Sequence, residues 1–150
     1  MKLEIFTEIK IKATPEKVWK ILSDFNAYPE WNPFIKSVEG NVDIGNTIKI
    51  RIEPPNSNGM NFKPKVLSFI KNQELSWLGN FLFPGLFDGK HMFKLISNPE
   101  GTTTFIQSEQ FSGVLVPLLK KQLNKDTKRG FILMNEKLKE IAENNCDVLK

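Results

Sequence analysis

His91 is the chain's single histidine, and it lies in the run GKHMFKL at 89–95, where Phe93 and Leu95 alternate with Lys94. A period of two places His91 on the apolar face of a strand. In TTTFIQSEQFSG at 102–113, Phe105 and Phe111 mark the apolar face, and Gln107 and Glu109 share it. A hairpin turning near residue 100 then sets His91 opposite Glu109, Phe93 opposite Gln107 and Leu95 opposite Phe105, all in one parity. His91, Gln107 and Glu109 become a polar group on a surface otherwise lined by Phe. Three readings of it stand. His91 and Glu109 can be catalytic, with His91 as base and Glu109 setting its tautomer. The group can orient a ligand by hydrogen bonds. Or it can satisfy itself as buried polar structure. A metal site is not expected, because one His, a distant Cys146 and scattered carboxylates do not give zinc-ligand spacing. No cofactor is expected either: no nucleophile elbow, phosphate loop or dinucleotide fingerprint occurs.

The second polar cluster sits on a helix. From about Val114 to Glu143 the hydrophobic period is 3.6, which predicts one helix of about 28 residues, about 42 Å long. At 100° per residue, Leu115, Val116, Leu119, Leu123, Met134, Leu138 and Ile141 share an arc of about 140°. Asp126, Thr127 and Gly130 fall inside the same arc. Burying an unpaired charge is expensive, and glycine lowers helix propensity by about 1 kcal/mol relative to Ala. Either the helix kinks at Gly130 and tips Asp126 into solvent, or this turn faces a cavity in which polar groups meet water or a ligand.

Strands must carry the first cluster and face the second. Alternation over 3–12 predicts a strand, with Leu3, Ile5, Thr7, Ile9 and Ile11 on one face. Thr14, Pro15 and Glu16 form a helix start of cap, first-turn Pro and acid. Short helices are expected at about 15–23 and 26–31. Further strands are expected at 35–40, 48–53, 60–71 (with Pro64 marking an edge or bulge), 74–81, 87–97 and 102–112. The order is strand, two short helices, six strands, long helix. The expectation is an α+β fold of one domain, 1–150, in which a curved seven-stranded antiparallel sheet wraps the C-terminal helix. Trp77 and Phe81 are expected on the inner wall. Trp19, Trp31 and Phe34 are read as pins for the short helices, with Phe34 the one nearest a ligand. In FLFPGLFDG at 81–89, Phe83, Leu86 and Phe87 surround a Pro-Gly turn and either gate a cavity mouth or tuck under the helix.

Residues 13–35 carry a resemblance. Ala13, Pro15, Glu16, Val18, Trp19, Leu22 and Asp24, followed by Tyr28, Trp31, Asn32, Pro33, Phe34 and Ile35, fit the pattern A-x-P-E-x-V-W-x-x-L-x-D and then Y-x-x-W-N-P-F-I. Together with 89–95 and 102–113 they resemble the START-like (SRPBCC) superfamily, in its polyketide cyclase/dehydrase-like branch, over about residues 3–143. The resemblance implies the helix-grip fold and a cavity between helix and sheet. It leaves function open, since the superfamily spans lipid carriers, hormone receptors, co-chaperones, cyclases and oxygenase domains.

Composition narrows the partners. Twelve Phe against three Trp and one Tyr suit a large apolar interior. A net charge of +4 with only two arginines, Arg51 and Arg129, is a solubility feature and not a nucleic-acid footprint. Lys121, Lys125, Lys128 and Arg129 are expected on the helix's solvated face, with an anionic membrane or partner surface as the other use. No apolar segment reaches membrane-spanning length, so no integral membrane association is expected. Without an apolar signal core the location expected is cytoplasmic. Oligomeric state is not legible. The function expected is binding or transport of a small hydrophobic ligand, lipid- or polyketide-like. Phe34, Trp77, Phe81, Phe87, Phe93, Phe111, Leu119, Leu123, Gly130 and Met134 form its wall, and His91, Gln107, Glu109 and Asp126 its polar contacts. The alternatives are a cyclase/dehydratase-like enzyme and an interaction domain with a filled core.

Overall fold

In the computed structural model, which describes residues 2–144, β1 (Lys2–Ile11) begins the chain and pairs along its whole length with β8 (Thr103–Ser112), from Lys2–Ser112 to Ile11–Thr103. The residues read as inward-facing are buried or half-buried: Leu3, Ile5, Thr7, Ile9 and Ile11. Cys146 lies outside the described residues.

The chain then makes α1 (Pro15–Leu22), a 3₁₀ turn (Phe25–Ala27) and α2 (Tyr28–Trp31). The Thr14 hydroxyl accepts from the Lys17 N–H at 3.3 Å, and Pro15 occupies the first turn, where its missing N–H is harmless. Trp19 leans on Phe69, with ring centroids 5.5 Å apart. Tyr28 is fully buried and donates to the Leu22 carbonyl at 2.5 Å. Burial, and secondarily the Asp24 carboxylate, pushes its pKa far above the ordinary phenol value. Folded Tyr28 therefore keeps its proton above pH ~10, where the unfolded chain loses it. Stability from this group is complete below that pH and falls by about 1.4 kcal/mol per unit above it. In alkaline unfolding curves Tyr28→Phe is expected to flatten the slope by one proton; an unchanged slope would contradict this.

After α2 come β2 (Ile35–Glu39), β3 (Lys49–Ile52), β4 (Met60–Phe62), β5 (Lys65–Ile70), β6 (Glu74–Asn80) and β7 (Asp88–Ser97). Among the described residues there are eight strands in two sheets, ordered β1-β8-β7-β6-β5 and β2-β3-β4, and not seven in one. The stretch 60–71 splits at Pro64, which has no N–H to give a ladder. Its carbonyl still accepts from Ile48 N at 2.9 Å, and a Thr47–Lys65 bridge joins the two sheets there. The result is the expected curved antiparallel wall around the C-terminal helix.

That helix is continuous but not uniform. It comprises α3 (Val116–Gln122), a π-helical turn (Leu123–Thr127) and α4 (Lys128–Asn144). A π turn admits extra residues without ending the helix, so positions beyond it are rotated from where a uniform 100° step puts them. Phe131 and Asn135, outside the expected arc, are buried, while Ile141 is only half-buried. Among the described residues no helix is long and apolar enough to cross a membrane.

Candidate functional site

Between the inner face of the larger sheet, the smaller sheet with its 54–59 loop, and the α3–π segment lies a cavity of about 620 Å³. Its lining is mostly apolar. Trp77, Phe111, Ile50, Ile52, Leu119 and Leu123 contribute from different elements.

The hairpin register holds as read: His91 faces Glu109, Phe93 faces Gln107 and Leu95 faces Phe105. His91 Nδ1 lies 2.9 Å from Glu109 Oε1 and Nε2 lies 3.0 Å from Gln107 Oε1. The imidazole stacks on Trp77 at 5.3 Å and meets the Phe131 ring edge-on at 5.1 Å. His91 is almost wholly buried, and the Glu109 side chain retains 16% exposure, toward the cavity that it lines.

Hydrogen-bond polarity in this network follows from one fixed point. The backbone carbonyl of Gln107 can only accept, so the Thr7 hydroxyl, 2.7 Å away, donates to it. Thr7 Oγ1 then accepts from Asn135 Nδ2 at 2.9 Å. The other end of Asn135 is therefore its oxygen, which accepts from Gln107 Nε2 at 2.8 Å. Gln107 accordingly presents Oε1 to His91, and His91 Nε2 must carry a hydrogen. On the far side of the ring, an ionised Glu109 requires a second hydrogen on Nδ1, and a neutral imidazole requires a protonated Glu109. Either way the Nδ1–Glu109 contact holds a single proton, at the wall of an apolar cavity. A group of this kind can grip a hydroxyl or carbonyl, or move a proton to one.

Of the fourteen residues expected at a site, ten line the cavity: Phe34, Trp77, Phe81, Phe87, His91, Glu109, Phe111, Leu119, Leu123 and Asp126. Four do not. Phe93 and Met134 are buried in the core beneath the wall. Gln107 stands behind His91 and reaches the cavity only through it. Gly130 faces neither solvent nor cavity: a Cβ there would stand 2.4 Å from Phe34 Cδ1. Its missing side chain makes room for the Phe34 ring, so neither reading of a kink or an open turn describes it. Asp126 and Thr127, on the π turn, do border the cavity. Among the described residues no three His, Cys, Asp or Glu side chains gather as metal ligands.

Sequence reading missed Thr7 and Asn135, which complete the network, and it missed two glycines. Gly79 and Gly89 are paired neighbours on β6 and β7, and both line the cavity. A Cβ on Gly89 would sit 2.2 Å from Glu109 Oε2, so that glycine gives the carboxyl its place. The signal was present: Gly79 shares parity with Trp77, and Gly89 with His91. Glycine at an inward position marks close approach. The 54–59 loop, between the strands expected at 48–53 and 60–71, also forms one wall.

The family described as "Polyketide cyclase / dehydrase and lipid transport" matches residues 2–143. No curated protein matches the chain. Among solved structures, the Zhui aromatase/cyclase from Streptomyces sp. R1128 superimposes with a TM-score of 0.80 at 10% identity, covering 99% of this chain and 98% of that one. Ara h 8.0201 gives 0.71 at 17% identity, with 97% and 100% covered. A Staphylococcus aureus protein of unknown function, SA2116, gives 0.72 at 16% identity, with 97% and 96% covered. At these identities the likeness is one of fold.

Proposed function

The chain belongs to the polyketide cyclase / dehydrase and lipid transport family, and from that premise we propose that it binds one small, largely apolar molecule in the cavity between sheet and helix. The observation that carries this reading is the cavity itself, about 620 Å³ and mostly apolar, with the His91–Glu109 pair at one wall. That volume lies in the usual range for drug-sized ligands. Aromatic and aliphatic side chains take up the ligand's body, and Glu109, held by His91 and given space by Gly89, takes a hydroxyl or carbonyl. Asp126 and Thr127 are a second polar contact, on the helix side.

Native mass spectrometry of protein purified from its host is expected to show a defined adduct that denaturation releases. Leu119→Trp, which fills the cavity from the helix side, is expected to remove the adduct while thermal unfolding stays cooperative. Absence of any adduct, together with failure to bind an apolar fluorescent probe, would sink this reading.

A second reading, a cyclase-like catalyst, is favoured by one specific feature: the single proton held between His91 and Glu109. Holding a flexible chain in one fold would supply much of the rate, with Glu109 moving the proton. Glu109→Gln separates the two readings. Turnover of a polyketide-like substrate lost with binding retained indicates the enzyme; a change in affinity alone indicates the carrier.

A further inference from the structure

Large apolar side chains stand exposed around one end of the cavity. Leu82 is 78% exposed, Leu118 79% and Val114 73%, and Phe83 is over half exposed. They form one patch. The 81–87 loop is tied to the start of α3 by Val114 N–H to the Gly85 carbonyl at 3.1 Å and Leu115 N–H to the Leu86 carbonyl at 3.0 Å. Leu118 follows within the next turn. Behind these tips, Phe81, Phe87, Leu115 and Leu119 line the cavity, so the patch frames its mouth. Leu82 has φ +65°, a conformation disfavoured for a residue with a Cβ. The loop thus accepts backbone strain while turning a leucine into water.

On the helix side of the patch the charges are mostly basic, and the one carboxylate at the loop, Asp88, is engaged by the Gly85 N–H and the Asn80 amide. Lys121 and Lys125 follow Leu118 along the helix, and Lys120, Lys121 and Lys125 share one surface depression with Pro117. From 116 to 129 the chain has Lys120, Lys121, Lys125, Lys128 and Arg129 against one acid, Asp126, which borders the cavity instead. Across the mouth, PPNSNG at 54–59 carries no charge. We propose that this end of the molecule docks on an anionic lipid surface, with Leu82, Phe83, Val114 and Leu118 entering the headgroup layer and the lysines meeting lipid phosphates. Projecting apolar tips with a lysine collar suit a deformable anionic interface. A structured protein partner would need a pocket for each tip. Docking there would set the cavity mouth against the phase in which apolar molecules dissolve.

The test uses the full chain without ligand, so its outcome is independent of the binding reading above. In vesicle co-sedimentation the protein is expected to bind phosphatidylglycerol-containing vesicles at low salt and not pure phosphatidylcholine ones. High salt should weaken binding. The double variant Leu82→Ser/Leu118→Ser is expected to weaken it about tenfold or more, and Lys120→Glu/Lys121→Glu/Lys125→Glu at least as much. Both sets should leave thermal unfolding and apolar-probe binding unchanged. No association with anionic vesicles at low salt would overturn the proposal. So would association that the leucine substitutions leave intact, or a soluble dimer that those substitutions dissociate.

Discussion

Gln107→Leu is expected to destabilise the fold by about 4 kcal/mol, because it strands two buried groups at about 1–3 kcal/mol each and loosens a third contact. The side chain is fully buried and links three elements: β8, on which it sits, β7 through His91, and α4 through Asn135. With leucine there, His91 Nε2–H and Asn135 Oδ1 lose their partners and no water reaches them. For a domain of this size the loss corresponds to a fall in Tm of about 10 °C or more. Urea unfolding measures the energy. Nitrogen-15 NMR measures the polarity, and the single histidine makes the assignment unambiguous. The expected spectrum shows His91 with a hydrogen on Nε2. A bare Nε2 would show that the amide chain from Thr7 through Asn135 runs the other way, and a loss under about 1 kcal/mol would show that the network is not closed to water.

Gly130→Ala is expected to destabilise by about 1–2 kcal/mol, the opposite sign from the ~1 kcal/mol gain that removing a mid-helix glycine ordinarily brings. A Cβ would lie 2.4 Å from Phe34 Cδ1 and 2.8 Å from Cε1. Phe34 is 1% exposed and packed edge-on against Phe131 at 5.3 Å, so the ring has little room to retreat except into the cavity. Asn32 also holds its backbone, accepting from the N–H groups of Phe34 and Ile35 at 2.9 and 2.8 Å. Overpacking of this kind typically costs about 1–3 kcal/mol. The pairing has its own test: Phe34→Leu should relieve much of the Gly130→Ala penalty in a double-mutant cycle. Additive losses, or an alanine variant as stable as the parent, would show that the glycine serves something other than the ring.

The hairpin chemistry was legible because strand parity is rigid. Once Phe93 and Phe105 are inward, His91, Gln107 and Glu109 share their face, because β7 and β8 pair without the register shift that a bulge brings. Capping at Thr14 and Pro15 was legible for a related reason: it depends on neighbours within one turn. The helix was less so. A stripe computed at a constant angle assumes a constant helix, and the π turn at 123–127 rotates everything after it, which hid Asn135 and Phe131.

The amino-acid sequence alone therefore determined the element order apart from the strand that splits at Pro64, the family fold, the β7–β8 register and ten of the residues that border the cavity. All of these follow from local periods and short-range pairing. Tertiary structure decided what empty space means. Gly130 and Gly89 are both glycines on inward faces, yet one is filled by the Phe34 ring and the other by the Glu109 carboxyl. No local pattern tells them apart, because what fills a missing side chain's volume comes from a residue distant in the chain and is chosen by packing.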